Sequence, residues 1–214
     1  MPTKNGESES VYRVASLLND KEMDIKTIEG ATRQMLVAFG EDPSRAGLMR
    51  TPERVSKMYA ELLAGYRTDP YEMLNDALFE IQYDEMVIVR DIEFYSLCEH
   101  HMLPFVGRAH VAYLPKGRVI GLSKIPRIVD MFARRLQVQE RMTTQVAEFI
   151  SELLNPSGVA VVLEALHLCS MIRGVKKHDS RMTTSAMLGS FRTDMAQRME
   201  FLDNISRSAE PLHF

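Results

Sequence analysis

The apolar residues of the chain change period near Tyr83, and that change decides which folds are open to it. Before Tyr83 they recur at helical spacing. Ile28, Met35, Leu36 and Phe39 suit one face of a helix starting around Ile25, with Gly40 as its stop. Thr51 reads as the N-cap and Pro52 as the first residue of a second helix, whose stripe is Val55, Met58, Tyr59 and Leu62. Residues 70–79 suit a further short helix. After Tyr83, residues 86–94 alternate loosely and carry β-branched side chains, which predicts a strand. Residues 108–114 predict a second strand and 118–122 a short third, with a turn over 115–117. Ser123 stands where it would cap a helix from Lys124, and residues 138–154 predict another helix, stopped by Asn155, Pro156 and Gly158. Residues 159–169 predict a long strand, 183–191 a last one, and 194–204 a closing helix. This order predicts an α+β chain: a flexible tail over 1–24, a helical region over 25–83 and an antiparallel sheet domain over 84–214.

Composition removes several classes of function. Acidic and basic residues are interspersed and the formal net charge is -3, which argues against nonspecific DNA binding through bulk charge. No apolar run approaches the ~18 residues of a membrane span, and the polar start lacks an apolar signal core. The expected location is cytoplasmic. No GxxxxGK[ST] run occurs, so a P-loop nucleotidase is not expected. The 2 cysteines, Cys98 and Cys169, are too few for a disulfide scaffold. Both stand close to histidine.

Cys98-Glu99-His100-His101 is the sharpest local feature. A turn can aim Cys98 and His101 at one point, and a thiolate with an imidazole suits Zn²⁺. A catalytic zinc takes about three protein ligands and leaves a place for water, and Cys169 is the natural third. Ordinary buried thiols beside surface histidines remain the alternative on spacing alone. If residues 159–169 stay extended, His167 and Cys169 share a strand face, which sets an imidazole beside the metal for proton exchange. Read alone, Lys124 and Arg127 are solvated helix charges and Gln139 a solvated helix residue.

Four segments together resemble the GTP cyclohydrolase I family. They are Cys98-Glu99-His100-His101, Val119-Ile120-Gly121-Leu122-Ser123-Lys124-Ile125, Gln137-Val138-Gln139-Glu140-Arg141-Met142-Thr143, and His167-Leu168-Cys169 followed by Arg173-Gly174. The likeness covers nearly all of residues 51–191. It implies a tunnelling fold, a four-stranded antiparallel sheet with two packed helices, preceded by N-terminal helices. It implies zinc-dependent hydrolysis and rearrangement of GTP to 7,8-dihydroneopterin triphosphate and formate, the first step of folate or tetrahydrobiopterin synthesis. The resemblance further implies a homodecamer of two pentamers with active sites at subunit interfaces. Animal members bind a feedback regulatory protein, a partner the sequence leaves open here.

The same resemblance carries roles to individual residues. Cys98, His101 and Cys169 match the zinc ligands, and His167 matches the general acid/base. His100 matches a histidine that assists near the metal, and Ser123 matches the residue that lies near the ribose. Glu140 matches the carboxylate that holds the guanine N1 and 2-amino edge, with Gln139 beside it. Lys124, Arg127 and Arg173 match the triphosphate-binding cations, with Arg54 a weaker addition. The competing readings are another pterin- or purine-binding member of the fold, and a zinc-stabilised structural ring without turnover. The joint presence of Cys98, His101, His167 and Cys169 speaks against the first, and formate release from GTP separates the second.

Overall fold

The computed structural model describes residues 22–75, 77–178 and 180–206. The tail expected over 1–24 lies outside the described residues apart from 22–24, as does the end of the chain from 207. Helix α1 (Ile25–Ala38) starts where Asp24 accepts from the Thr27 amide, and the chain leaves it through Gly40 at φ 85°. Helix α2 (Thr51–Leu62) packs against α1, and Ser56 donates to Glu29 across the pair.

The expected cap of α2 is displaced. Arg50 holds the cap position, Thr51 is already helical, and no side chain caps the end. The physical reason is that little is left to cap. The Thr51 amide donates to the Leu48 carbonyl at 2.9 Å, and Pro52 has no N–H. A 3-10 turn (Ala64–Arg67) follows. Gly65 there donates to the Arg134 carbonyl, and a Cβ on it would lie 2.2 Å from the Met131 carbonyl oxygen.

The helix expected over 70–79 is shorter. Helix α3 (Pro70–Leu74) is capped by Asp69 and ends at Asn75, whose φ of 43° turns the chain out. Strand β1 (Leu78–Glu80) then pairs antiparallel with β4 (Arg118–Ile120), so the short strand expected over 118–122 belongs to a separate two-stranded sheet.

The main sheet runs β5-β2-β3-β6-β7. Its four long strands are antiparallel, as expected: β2 (Val87–Cys98), β3 (Pro104–Leu114), β6 (Gly158–His167) and β7 (Arg181–Gly189). A two-residue strand β5 (Leu136–Gln137) adds parallel to the end of β2. Strand β2 carries a bulge between Val89 and Ile92, with Asp91 at φ 59°. Helices α4 (Lys124–Ala133) and α5 (Gln139–Leu154) cover one face. Phe94, Phe105, Ile128, Phe132, Met142, Ile150 and Leu163 are fully or almost fully buried in that layer. Ser123 precedes α4 but makes no capping bond, because its own backbone is already helical.

Strand β6 stops at His167, and Leu168–Met171 forms a helical turn, α6. Cys169 therefore sits on that turn and not on the strand, which corrects the extended reading of 159–169. Strand β7 likewise ends at Gly189, and a second turn, α7 (Ser190–Thr193), carries Phe191. The last helix, α8 (Met195–Ser206), packs Phe201 with Phe191 over Ala112, Leu114, Ala160 and Val162 on the sheet's other face.

Candidate metal centre and active site

The β2–β3 hairpin brings the first two candidate ligands together. The Cys98 amide donates to the Leu103 carbonyl, and the Met102 amide donates back to the Cys98 carbonyl at 2.8 Å. Met102 takes φ 54°, which closes the loop tightly and folds His101 back over Cys98. Arg141 of α5 ion-pairs with Glu99 and donates to Gln137 and the Leu136 carbonyl, so the loop is tied to the start of α5.

The third candidate arrives from β6. Register sets His167 opposite Phe105, and the helical turn after it carries Cys169 toward Cys98. The Cys98 sulfur, a His101 ring nitrogen and the Cys169 sulfur all lie within 4.8 Å of one another. Burial is graded, with Cys98 buried, Cys169 intermediate and His101 exposed. Burial pushes the Cys169 thiol up, and the neighbouring Cys98 pushes it further the same way. A cation held beside the Cys169 sulfur would oppose that shift and favour its thiolate. Two soft sulfurs and an imidazole are the donor set that Zn²⁺ favours, so the residues present fit a three-ligand zinc centre. Among the described residues no fourth Cys, His, Asp or Glu joins the cluster.

Other expected residues gather around it. His100 Nδ1 lies 3.7 Å from the Cys98 sulfur, and Arg173 donates to His101 Nε2 at 2.9 Å. His167 is half-buried and stacks on Phe105 with ring centroids 4.6 Å apart and planes 2° from parallel. Its Nε2 is 2.8 Å from Gln139 Oε1. Burial pushes the His167 pKa down, and the Glu140 carboxylate opposes that shift. Glu140 itself is exposed, while its neighbour Gln139 turns inward and is buried. Phe105 and Thr184, which contacts Gln139, carry no local motif; only the pairing of β3, β6 and β7 brings them here.

Four expected residues stand apart from the cluster within this chain. Lys124 is buried and donates to the Met73 carbonyl at 2.8 Å. Ser123, Arg127 and Arg54 are exposed. No described hydrogen bond or ion pair links any of the four with the Cys/His cluster. A cavity of about 370 Å³ lies elsewhere, between the sheet and α8. Its lining includes the Arg181–Glu164 and Arg108–Asp91 pairs and none of the cluster.

Known proteins share this arrangement of segments across most of their length. GTP cyclohydrolase 1 of Leptospira biflexa serovar Patoc is 57% identical over 178 residues, which span 83% of this chain and 97% of that protein. GTP cyclohydrolase 1 of Chlorobaculum tepidum is 58% identical over 172 residues, 80% of this chain and 77% of its own. GTP cyclohydrolase 1 1 of Pseudomonas aeruginosa is 58% identical over 176 residues, 82% of this chain and 95% of its own. The family pattern described as GTP cyclohydrolase I matches residues 28–206, from α1 through the Cys/His cluster to the end of α8. Residues 28–206 include every strand and helix around the cluster, and the chain therefore belongs to the GTP cyclohydrolase I family.

Proposed function

We propose that the chain converts GTP and water to 7,8-dihydroneopterin triphosphate and formate, as a zinc-dependent GTP cyclohydrolase I acting in folate or tetrahydrobiopterin synthesis. The observation that carries this reading is the convergence of Cys98, His101 and Cys169 beside His167 in a chain of this family. Cys98, His101 and Cys169 would hold the zinc, which would supply Lewis acidity for activating water at that place.

The remaining work falls to side chains. His167 moves a proton at the imidazole ring of the purine as it opens, and its stacking on Phe105 holds the ring plane. His100, beside Cys98, assists at the same place. The exposed Glu140 carboxylate accepts from the guanine N1–H and 2-amino group, a pair of donors that suits two carboxylate oxygens. Arg173, at the rim of the cluster, takes the triphosphate with Lys124, Arg127 and Arg54, and Ser123 serves the ribose.

The separation of Ser123, Lys124, Arg127 and Arg54 from the cluster supports a site completed by a neighbouring subunit. That suits a homodecamer of two pentamers with interfacial active sites. Among the described residues no helix is long and apolar enough to cross a membrane, in keeping with a cytoplasmic enzyme. The test is GTP turnover by the zinc-loaded protein, with formate and the fluorescent oxidised pterin both measured. Equimolar formate and pterin are expected. Full zinc content with no formate release would overturn the reading.

A further inference from the structure

Gln139 opens α5 and is 1% exposed, so its amide must find its partners inside the protein. Three acceptors face its Nε2, which shares two protons among them: the Leu163 carbonyl at 3.1 Å, the Met182 carbonyl at 2.9 Å and Thr184 Oγ1 at 3.1 Å. A carbonyl oxygen only accepts. The nitrogen end of the amide must therefore face Leu163 and Met182, because the flipped amide would set Oε1 against two oxygens with no proton between them.

The hydroxyls fix the same orientation independently. Thr143 Oγ1 donates its single proton to the Gln139 carbonyl at 2.7 Å. In the 2.6 Å contact between the two threonines, Thr184 must then be the donor. That commits the proton of Thr184, which can meet Gln139 Nε2 only as an acceptor. The bonds form a closed ring from the Gln139 side chain through Thr184 and Thr143 to the Gln139 backbone, with one direction.

Gln139 Oε1 is left on the other side, 2.8 Å from His167 Nε2. An amide oxygen only accepts, so the proton of this bond belongs to Nε2. We propose that Gln139 is a positioning residue that holds His167 as its Nε2–H tautomer and so presents Nδ1 as the nitrogen for proton exchange with substrate, in place of the guanine contact its position beside Glu140 suggests. This rests on His167 being the acid/base of the function proposed above. Both N–H bonds of Gln139 are committed inward, and Phe105 fixes the plane of the imidazole that Gln139 orients. Three elements supply the restraint: the start of α5, β6 through the Leu163 carbonyl, and β7 through Met182 and Thr184.

Two measurements test this on the full-length, zinc-loaded protein. Solid-state ¹⁵N NMR of histidine-labelled protein, with the His167→Ala spectrum used for assignment, reads the tautomer directly. A protonated Nε2 and bare Nδ1 in the neutral ring are expected; an Nδ1–H neutral ring overturns the proposal. The Gln139→Met variant keeps the volume and removes both polar ends. Its kcat should fall by roughly 10–100-fold, the usual scale for loss of an orienting partner, with the KM for GTP within about twofold. A raised KM with unchanged kcat makes Gln139 a substrate contact and overturns the proposal. If Gln139→Met does not fold, the wild-type tautomer still decides. Wild-type protein that releases no formate refutes the proposed function, while the tautomer of His167 remains measurable.

Discussion

His167 and Cys169 stand two residues apart, yet the proposed chemistry asks different things of them. His167 bonds Gln139 and stacks on Phe105, whereas Cys169 turns toward Cys98. His167→Ala should keep about one zinc per subunit and lose roughly 10²–10⁴-fold in turnover, the scale of a positioned acid/base. Cys169→Ser should lose metal and activity together. Metal analysis beside formate release checks the pair, and loss of zinc from both variants would merge the two roles. Glu140→Gln exchanges an acceptor for a donor at the proposed guanine contact, so kcat/KM for GTP should fall by roughly 30-fold or more, from ~2–5 kcal/mol of desolvated recognition. Melting temperature should stay near wild type, since Glu140 is exposed. Unaltered GTP kinetics would remove Glu140 from the guanine site. Much of this site was legible because ligand chemistry is local: Cys98 and His101 are three residues apart in a tight turn. The inward turn of Gln139 was not. Its partners lie 24 to 45 residues away, so tertiary packing and not the sequence around Gln139 sets its direction.

At the scale of elements, periodicity located the long strands and helices and failed on short ones. Four residues, Leu168–Met171, are too few to show a helical period, so the turn that carries Cys169 looked like more strand. Residues 78 and 79 likewise looked helical because the strand they belong to exists only by pairing with Arg118–Ile120. Close approaches are also invisible in sequence. Gly65 lies where the 3-10 turn meets the end of α4, and an added Cβ would fall 2.2 Å from the Met131 carbonyl oxygen and 2.8 Å from that of Arg134. Gly65→Ala should destabilise the protein by about 1–3 kcal/mol, the cost of overpacking. Gly30 in α1 has nothing within 4 Å of the same added atom, so Gly30→Ala should stabilise by ~0.5–1 kcal/mol. Paired denaturant titrations give both signs, and equal effects at the two glycines would refute the packing argument.

Lys124, Arg127 and Arg54 stand away from the zinc ligands while Arg173 lies beside His101, and the proposed site shared between subunits would account for that split. Inactive His167→Ala and inactive Lys124→Ala chains, dissociated and reassembled together, should then regain part of the wild-type formate release. No recovery from a verified mixed assembly would place both residues in one subunit's site. Stability carries its own pH signature. His110, on the face of the sheet away from α4 and α5, has its pKa pushed down chiefly by burial; Asp91 and Glu164 oppose the shift, and Arg108 and Arg90 add to it. The unfolded chain therefore takes up this proton first as the medium is acidified. The contribution is full above ~6.5, the free value, and is lost as pH falls through the lower folded one. Unfolding free energy should decline over that window, and less steeply in His110→Gln, which cannot titrate; parallel slopes would clear His110 of the effect. The bulge in β2 gives this proton a precise target. At Asp91 the strand leaves its ladder, and the amide donates instead to His110 Nδ1 at 3.2 Å. Protonation of that nitrogen turns the acceptor into a second donor and deprives one backbone amide of its partner. Amide exchange with deuterium is base-catalysed and ordinarily slows on acidification. At Asp91 protection should instead weaken as His110 takes its proton, so this one position would exchange faster, relative to its neighbours, in mild acid than at neutrality.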